Sequence, residues 1–586
     1  MRTRRIEIVA QDPCVVTPGG DVVTAVVTLP WEDLEDGPMG CSVYVMDYDS
    51  STGKMYRPAS ARGSADIRAP ATRAAILSDP RFQAWNVYAI VMRTLLRFEF
   101  ALGRRVGWGI RGHQLKVMPH AFEDANAFYS PEAEGLLFGY LRGDEPMFLC
   151  MSHDVVAHET AHALLDGLRE NFMSPSSPDQ AALHEAFADI VALLSVFSLP
   201  EVVRHLVRPI ADEESETPVG LVKRSTLTWE RLRDTALFKL ADNMRGGTGI
   251  RADALRRSVE IAPDTQILDR PEYLEEHRRG EVLVAAVMRA FLSAWVDRIE
   301  RLGEGPNSLI DVGVAAETGS EIADLMLTMC IRAIDYTPPI HILFGDFLSA
   351  LLTADYQVRA DDSRYRLRDT LVTVMGQYGI KPASASSTGC WCTPDRKLAR
   401  EGTHFSGLQS DTTEMFRHVW NNRGVLRLNP NAYTRIRSVR PCLRVSPEDG
   451  FQIRETVVEC GQYLKLTVPE LNSYGLDAPK GMPRDMQIEL EGGSTLILDE
   501  YGELKFEVSN RLPSPPCPGE NRWHRDRFTA RWQRRIDYLW KSGYLTSGVN
   551  RSSLLASLHR QRAQVGPVSP RMQFRFQQRY NAQTWR

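Results

Sequence analysis

Apolar and polar residues alternate in short runs at the start of the chain. "VVTAVVTL" and "CSVYVMDYD" are rich in β-branched and aromatic residues and are bounded by "TPGGD", "EDGPMG" and "SSTGK", which predicts strands and turns over residues 1 to about 60. From Phe82 to Gly103 the spacing lengthens to the helical period and stops at a glycine. "HQLKVMPHAF", "DANAFYS" and "GLLFGYL" then predict three short strands. Between Asp154 and about Tyr356 helical patterns dominate, among them "DVVAHETAHALLDGL", "ALHEAFADIVALLSVF" and "GEVLVAAVMRAFLSAWVDRI". "GIKPASASSTGCWCTP" reads as a linker, and alternation returns beyond it in "LRVSPEDGFQI", "YLKLTVPEL" and "MQIELEGGSTLILDEYGELKFEV". "LPSPPCPG" sets off the last segment. No fixed-period repeat is present.

The pattern is that of an α+β protein, and a chain of 586 residues exceeds one ordinary core. Four regions are expected: a β-rich region 1–75, a mixed-to-helical region 76–385 whose first lobe runs to about 170, a β-rich domain 386–515, and a tail 516–586. Apolar content of 43% and charged content of 25% exclude wholesale disorder. The net charge of −4 hides an asymmetry, because Glu520 to Arg586 holds 14 Lys and Arg against three Asp and Glu. Aromatic residues interleave with these arginines, a pattern that serves a nucleic-acid or protein contact through residues 520–586 and serves a helix docked on the body equally well. Charges break every apolar run near the start, and no run of eighteen uncharged apolar residues follows, so neither a signal peptide nor a transmembrane segment is expected. Nine cysteines without a framework are expected as reduced thiols in a cytoplasmic protein.

Chemistry concentrates in "DVVAHETAHALLDG". Residues four apart share one helix face, so His158 and His162 can present imidazole nitrogens to one ion, and Glu159 lies beside them within reach of a water. The spacing alone serves a zinc site or a polar stripe. In "LHEAFADIVALL", Glu185 and Asp189 share a face of a second strongly apolar helix, where an uncompensated carboxylate would be costly and a cation would offset the cost.

These segments resemble those of the thermolysin-like and fungalysin-like zinc metallopeptidases, the gluzincins, over roughly Phe82 to Ala360. The resemblance implies a two-lobed zincin-type fold with a mixed N-lobe and a helical C-lobe. It implies one zinc ion held by His158, His162 and Glu185, with Glu159 as the general base, Asp189 orienting a ligand histidine and Asp166 in the place of a structural aspartate. "DANAFYSPEAEGLLFGY" is similar to the family's substrate-pairing edge strand, which implies that Asn126 and the main chain of Ala127 hold an extended peptide. "EHRRGEVLVAAVMRAF" resembles a segment that implies His277 as oxyanion donor, with Glu272 as the acid behind it, and "GIRADALRRSVEI" implies Arg257 near the primed-side pocket.

The sequence also departs from the family. "RENFMSPSSP" lacks the tyrosine that helps bind the oxyanion in secreted relatives. Asp154 matches a calcium ligand, yet "IVALLSVFSL" after Asp189 lacks the acidic partners a six- to eight-oxygen site needs, so calcium is not expected. The expectation is a zinc-dependent peptidase, most simply an endopeptidase, acting on a peptide or protein substrate. The alternative is a catalytically silent zinc-fold scaffold whose tail recruits a partner or nucleic acid.

Overall fold

The computed structural model describes residues 2–543 and Leu545, apart from Pro18 and residues 62–64, 144–145, 170–171, 173–175, 213–217, 237–259, 303–307, 447–448 and 515–521. Alternation at the start becomes a strand pair: Thr3–Val9 runs antiparallel to Thr24–Pro30, and Asp66–Ile67 lies parallel on the far side of the first. Ile6, Ile8, Ala25, Val27 and Leu29 point inward, while Arg5, Val26 and Thr28 face water. Within residues 1–75 the first strand packs on the helix that follows. Val9 N–H donates to Asn86 Oδ1 at 2.9 Å, and Ile6 and Ile8 share one buried cluster with the long helix that follows.

That helix, Pro80–Leu102, starts where Asp79 accepts from Arg81 N–H at 3.0 Å and ends at Gly103 in the left-handed region, φ 67°. A Cβ on Gly103 would lie 2.3 Å from the carbonyl oxygen of Leu443, so glycine is required both by the cap and by this approach. The three predicted strands are present as Leu115–Glu123, Ala127–Ser130 and Gly135–Leu141. The sheet runs in the order Met147–Phe148, Gly135–Leu141, Leu115–Glu123, Val43–Val45, and Ala127–Ser130 pairs antiparallel with Gly135–Leu141.

Helices then dominate, as their periodicity predicts. Pro178–Phe197 packs between His153–Leu168 and Glu276–Glu300, and Val312–Ala333 lies against the same helix. Among the described residues Pro178–Phe197 is long and apolar enough to cross a membrane by length and composition, and it lies wholly buried inside the protein. At the crossing with Glu276–Glu300 a Cβ on Gly280 would sit 3.1 Å from Ala182 O, so the missing side chain lets the two helices meet.

Beyond residue 400 the predicted alternation forms an antiparallel four-stranded sheet in chain order, Tyr433–Val445, Gln452–Thr467, Gln487–Leu498 and Leu504–Asn510. Its contact with the helical body is ionic and buried. Arg169 Nη1 donates to Glu459 Oε2 at 2.9 Å, Arg444 Nη2 to Asp335 Oδ2 at 2.6 Å, and Tyr336 OH to Glu455 Oε2 at 2.6 Å. Burial opposes ionisation of Asp335, but Arg104, Arg444 and Arg169 outweigh it and hold this carboxyl well below the ordinary range.

The stretch read as a linker is docked rather than spanning a gap. Ser384 N–H donates to Ser349 Oγ at 3.0 Å, Trp391 N–H to Thr353 Oγ1 at 2.8 Å, and the Trp391 indole to Tyr336 O at 2.9 Å. Its composition frees the backbone to follow an irregular course, and the indole anchors that course.

The tail begins with the helix Arg522–Lys541. Trp532 and Ile536 are buried with Leu466, Leu471, Leu476 and Leu512, and the Trp532 indole donates to Arg511 O at 3.1 Å. Of the interleaved aromatic residues in this helix, Trp532 and Trp540 pack in that cluster. The remainder of the tail lies outside the described residues.

Candidate metal centre

His153–Leu168 is flanked by Ser152, carries Asp154 in its first turn and ends where Arg169 N–H returns to Leu165 O at 2.8 Å. It is buried on nearly every side, so its apolar pattern runs all round and the polar positions stand out as requiring partners inside the protein. His158, Glu159 and His162 are each 0% exposed, and Glu185 on Pro178–Phe197 is 2% exposed.

The two helices bring three donors together. His158 Nε2 and His162 Nε2 are 2.8 Å apart, Glu185 Oε2 is 3.7 Å from His158 Nε2, and Glu185 Oε1 is 3.7 Å from His162 Nε2. A tetrahedral zinc site with bonds of about 2.0–2.2 Å has donor–donor edges of roughly 3.3–3.6 Å. The observed separations bracket that range, and all three ligand atoms lie within 4.8 Å of one another. This buried group can hold a metal ion. His158 Nδ1 lies 2.8 Å from Asp189 Oδ1, which leaves Nε2 on the side of the other two donors.

Glu159 stands beside the triad and is held by the edge strand: Tyr129 N–H donates to its Oε2 at 3.0 Å. The Tyr129 hydroxyl donates to Asp166 Oδ2 at 2.9 Å and lies 2.8 Å from Gly109 O. Burial and the Asp166 carboxylate push this phenol far above its ordinary range, so it stays a donor. Asp166 therefore reaches Glu159 through Tyr129. Nothing in the sequence marked Tyr129 except its place beside Asn126, Ala127 and Phe128.

Ala127–Ser130 presents its two edges differently. Asn126 O accepts from Gly139 N–H at 2.8 Å, toward the sheet, whereas Tyr129 N–H points the other way, to Glu159. Backbone groups alternate along a strand, so Ala127 shares the edge of Tyr129 and turns its main chain toward the metal helix, away from Gly135–Leu141. Asn126 is half-buried at the head of the strand.

His184, adjacent to Glu185, stacks its ring on His162 with centroids 4.5 Å apart and planes 4° from parallel. His277 lies in the first turn of Glu276–Glu300. Its Nδ1–H donates to Glu275 Oε1 at 2.6 Å, while Glu272 is exposed in the preceding turn Pro271–Leu274. The carboxylate paired with His277 is thus Glu275 rather than Glu272. The resemblance implied the residue five positions back, whereas the helix start favours the residue that also caps it: Glu275 accepts from His277 N–H at 3.2 Å and Arg278 N–H at 2.8 Å. Partial burial works against its ionisation, but the hydrogen bonds from the His277 ring and these amides prevail and bring the carboxyl down to about 2. Arg257 lies outside the described residues. Comparison with protein-family models and with curated proteins returns no match.

Proposed function

We propose that the protein is a zinc-dependent peptidase that cuts within polypeptide chains, built on a two-lobed zincin plan with the cleft between the Ala127–Ser130 edge and the helices. One observation carries the reading. A buried His–His–Glu group has a separate, fully buried carboxylate beside it that takes no part in the ligand set and is aimed by a strand amide. A purely structural metal site has no use for that additional acid.

Bound zinc supplies Lewis-acid chemistry, polarising a carbonyl and making water acidic enough to react near neutral pH. His158, His162 and Glu185 would hold the ion, with the Asp189 carboxylate against the His158 ring. An extended substrate adds as a strand along Ala127, with Asn126 at the rim. Glu159 does the proton work: the carboxylate takes a proton from the attacking water and returns it to the leaving amine, with Tyr129 N–H at Oε2 keeping it oriented. His277, whose ring Glu275 holds through Nδ1, would donate a hydrogen bond from Nε2 to the developing oxyanion.

The full chain, loaded with zinc, is incubated with a mixed peptide library beside Glu159→Gln, and cut sites are read by mass spectrometry. The expected result is cleavage by the native protein and a loss of about 10²- to 10⁴-fold in the variant, with its metal retained. Cutting that persists in the variant refutes the base assignment, and a native protein that cuts nothing refutes the peptidase reading.

A further inference from the structure

The helix Arg522–Lys541 does more than close a gap in the surface. Its inner face bridges the C-terminal sheet and the first turns of two helices of the candidate site. On the sheet side, Trp532 donates to Arg511 O, and Gln533 exchanges hydrogen bonds with the main chain of Asp477, 2.8 Å to its N–H and 2.9 Å to its oxygen. On the body side, the Trp532 ring meets the ring of His341 edge-on at 5.4 Å, and the His341 and Ile342 amides donate to Gln180 Oε1 in the first turn of the helix that carries Glu185. Six residues beyond Trp532, Tyr538 OH donates to Glu276 Oε1 at 3.3 Å.

Glu276 lies between Glu275, which pairs with the His277 ring, and His277 itself. This turn is pinned on its other flank by Arg279, whose guanidinium pairs with Asp179 and donates to Leu268 O at 2.8 Å and Tyr273 O at 3.0 Å. Asp179 belongs to the same first turn as Gln180, so the start of the His277 helix is referenced to the Glu185 helix from one side and to the tail helix from the other. We propose that Tyr538 is a positioning residue for His277: by holding Glu276 it fixes the rotation of the helix start that sets where the His277 ring points. The proposal rests on the peptidase reading for what His277 does, but not for where it is held.

The test is a double-mutant cycle on the zinc-loaded full chain, with a peptide that the native protein cleaves. Tyr538→Phe removes one hydroxyl from a half-buried site and leaves the docked face of the helix intact. The expected result is a kcat lowered about three- to tenfold with KM and zinc content unchanged, and no further loss when the change is made in a His277→Ala background. Equal losses in both backgrounds, or no loss at all, overturn the proposal. A second readout does not need turnover: in protein carrying ¹⁵N-labelled histidine, Tyr538→Phe is expected to shift the His277 ring signals and leave those of His153 and His120 in place. Unmoved His277 signals overturn the proposal, and absence of cleavage by the native protein overturns the peptidase reading while these signals still decide the role of Tyr538.

Discussion

Replacing Glu459 by Gln tests whether the C-terminal sheet and the helical body are one cooperative unit. The carboxylate is 2% exposed and its main partner Arg169 is 0% exposed, at 2.9 Å. Arg437 Nη1 lies 3.3 Å from Oε1 and Arg440 Nη1 3.8 Å from Oε2. At an effective dielectric of about 20 a contact of this length is worth roughly 6 kcal/mol of gross attraction, and removing one member of a buried pair costs about 3–5 kcal/mol net. The amide keeps an acceptor, Arg437 keeps Glu491, and Arg169 still donates to Ile334 O at 2.6 Å, which favours the lower end, about 3 kcal/mol. Calorimetry then separates two architectures. With about 2.1 cal/mol/K of unfolding entropy per residue, a transition that involves the whole chain moves down by roughly 2–3 °C, whereas a sheet that melts alone moves by more than about 10 °C. The expected result is a single transition with the small shift. A separate early transition, or no change, refutes the claim that these ion pairs join the sheet to the body. Arg169→Gln in the Glu459→Gln background is expected to cost less than Arg169→Gln alone, because the charge it removes has already lost its partner.

Two further outcomes follow from the site. Asp189→Asn removes the carboxylate that lies 2.8 Å from His158 Nδ1, and on the proposed zinc reading affinity for that ion is expected to fall about 10- to 100-fold by competition with a chromogenic chelator, against little change in folding of the metal-free protein. The Glu275 carboxyl is brought from its ordinary value of about 4.5 down to about 2 in the folded protein, so it contributes stability that is present above pH 4.5 and is lost as pH falls toward 2. Acid unfolding of Glu275→Gln is therefore expected to be less steep across that window, as followed by circular dichroism; an unchanged slope refutes the assignment.

Much of the local structure was legible in the residues. Periodicity placed Pro80–Leu102 and its glycine stop, the three strands between residues 115 and 141, and the alternating strands beyond 430, because side-chain direction repeats every two or 3.6 residues whatever the tertiary partner. The i,i+4 spacing placed His158 and His162 on one face for the same reason, and the apolar setting of Glu185 and Asp189 marked them as acids in need of partners inside the protein.

Only the tertiary structure decided which surfaces meet. Local pattern cannot reveal that the tail helix returns to the start of the His277 helix, that Glu275 takes the place expected of Glu272, or that an edge-strand amide holds Glu159, since each contact joins segments brought together by packing or by a cap. The buried charges make the same point. Arg169, Glu459, Arg444, Glu455 and Asp335 look in sequence like solvated surface residues, and they lie inside because each finds its opposite charge on another element, which alone makes their burial tolerable.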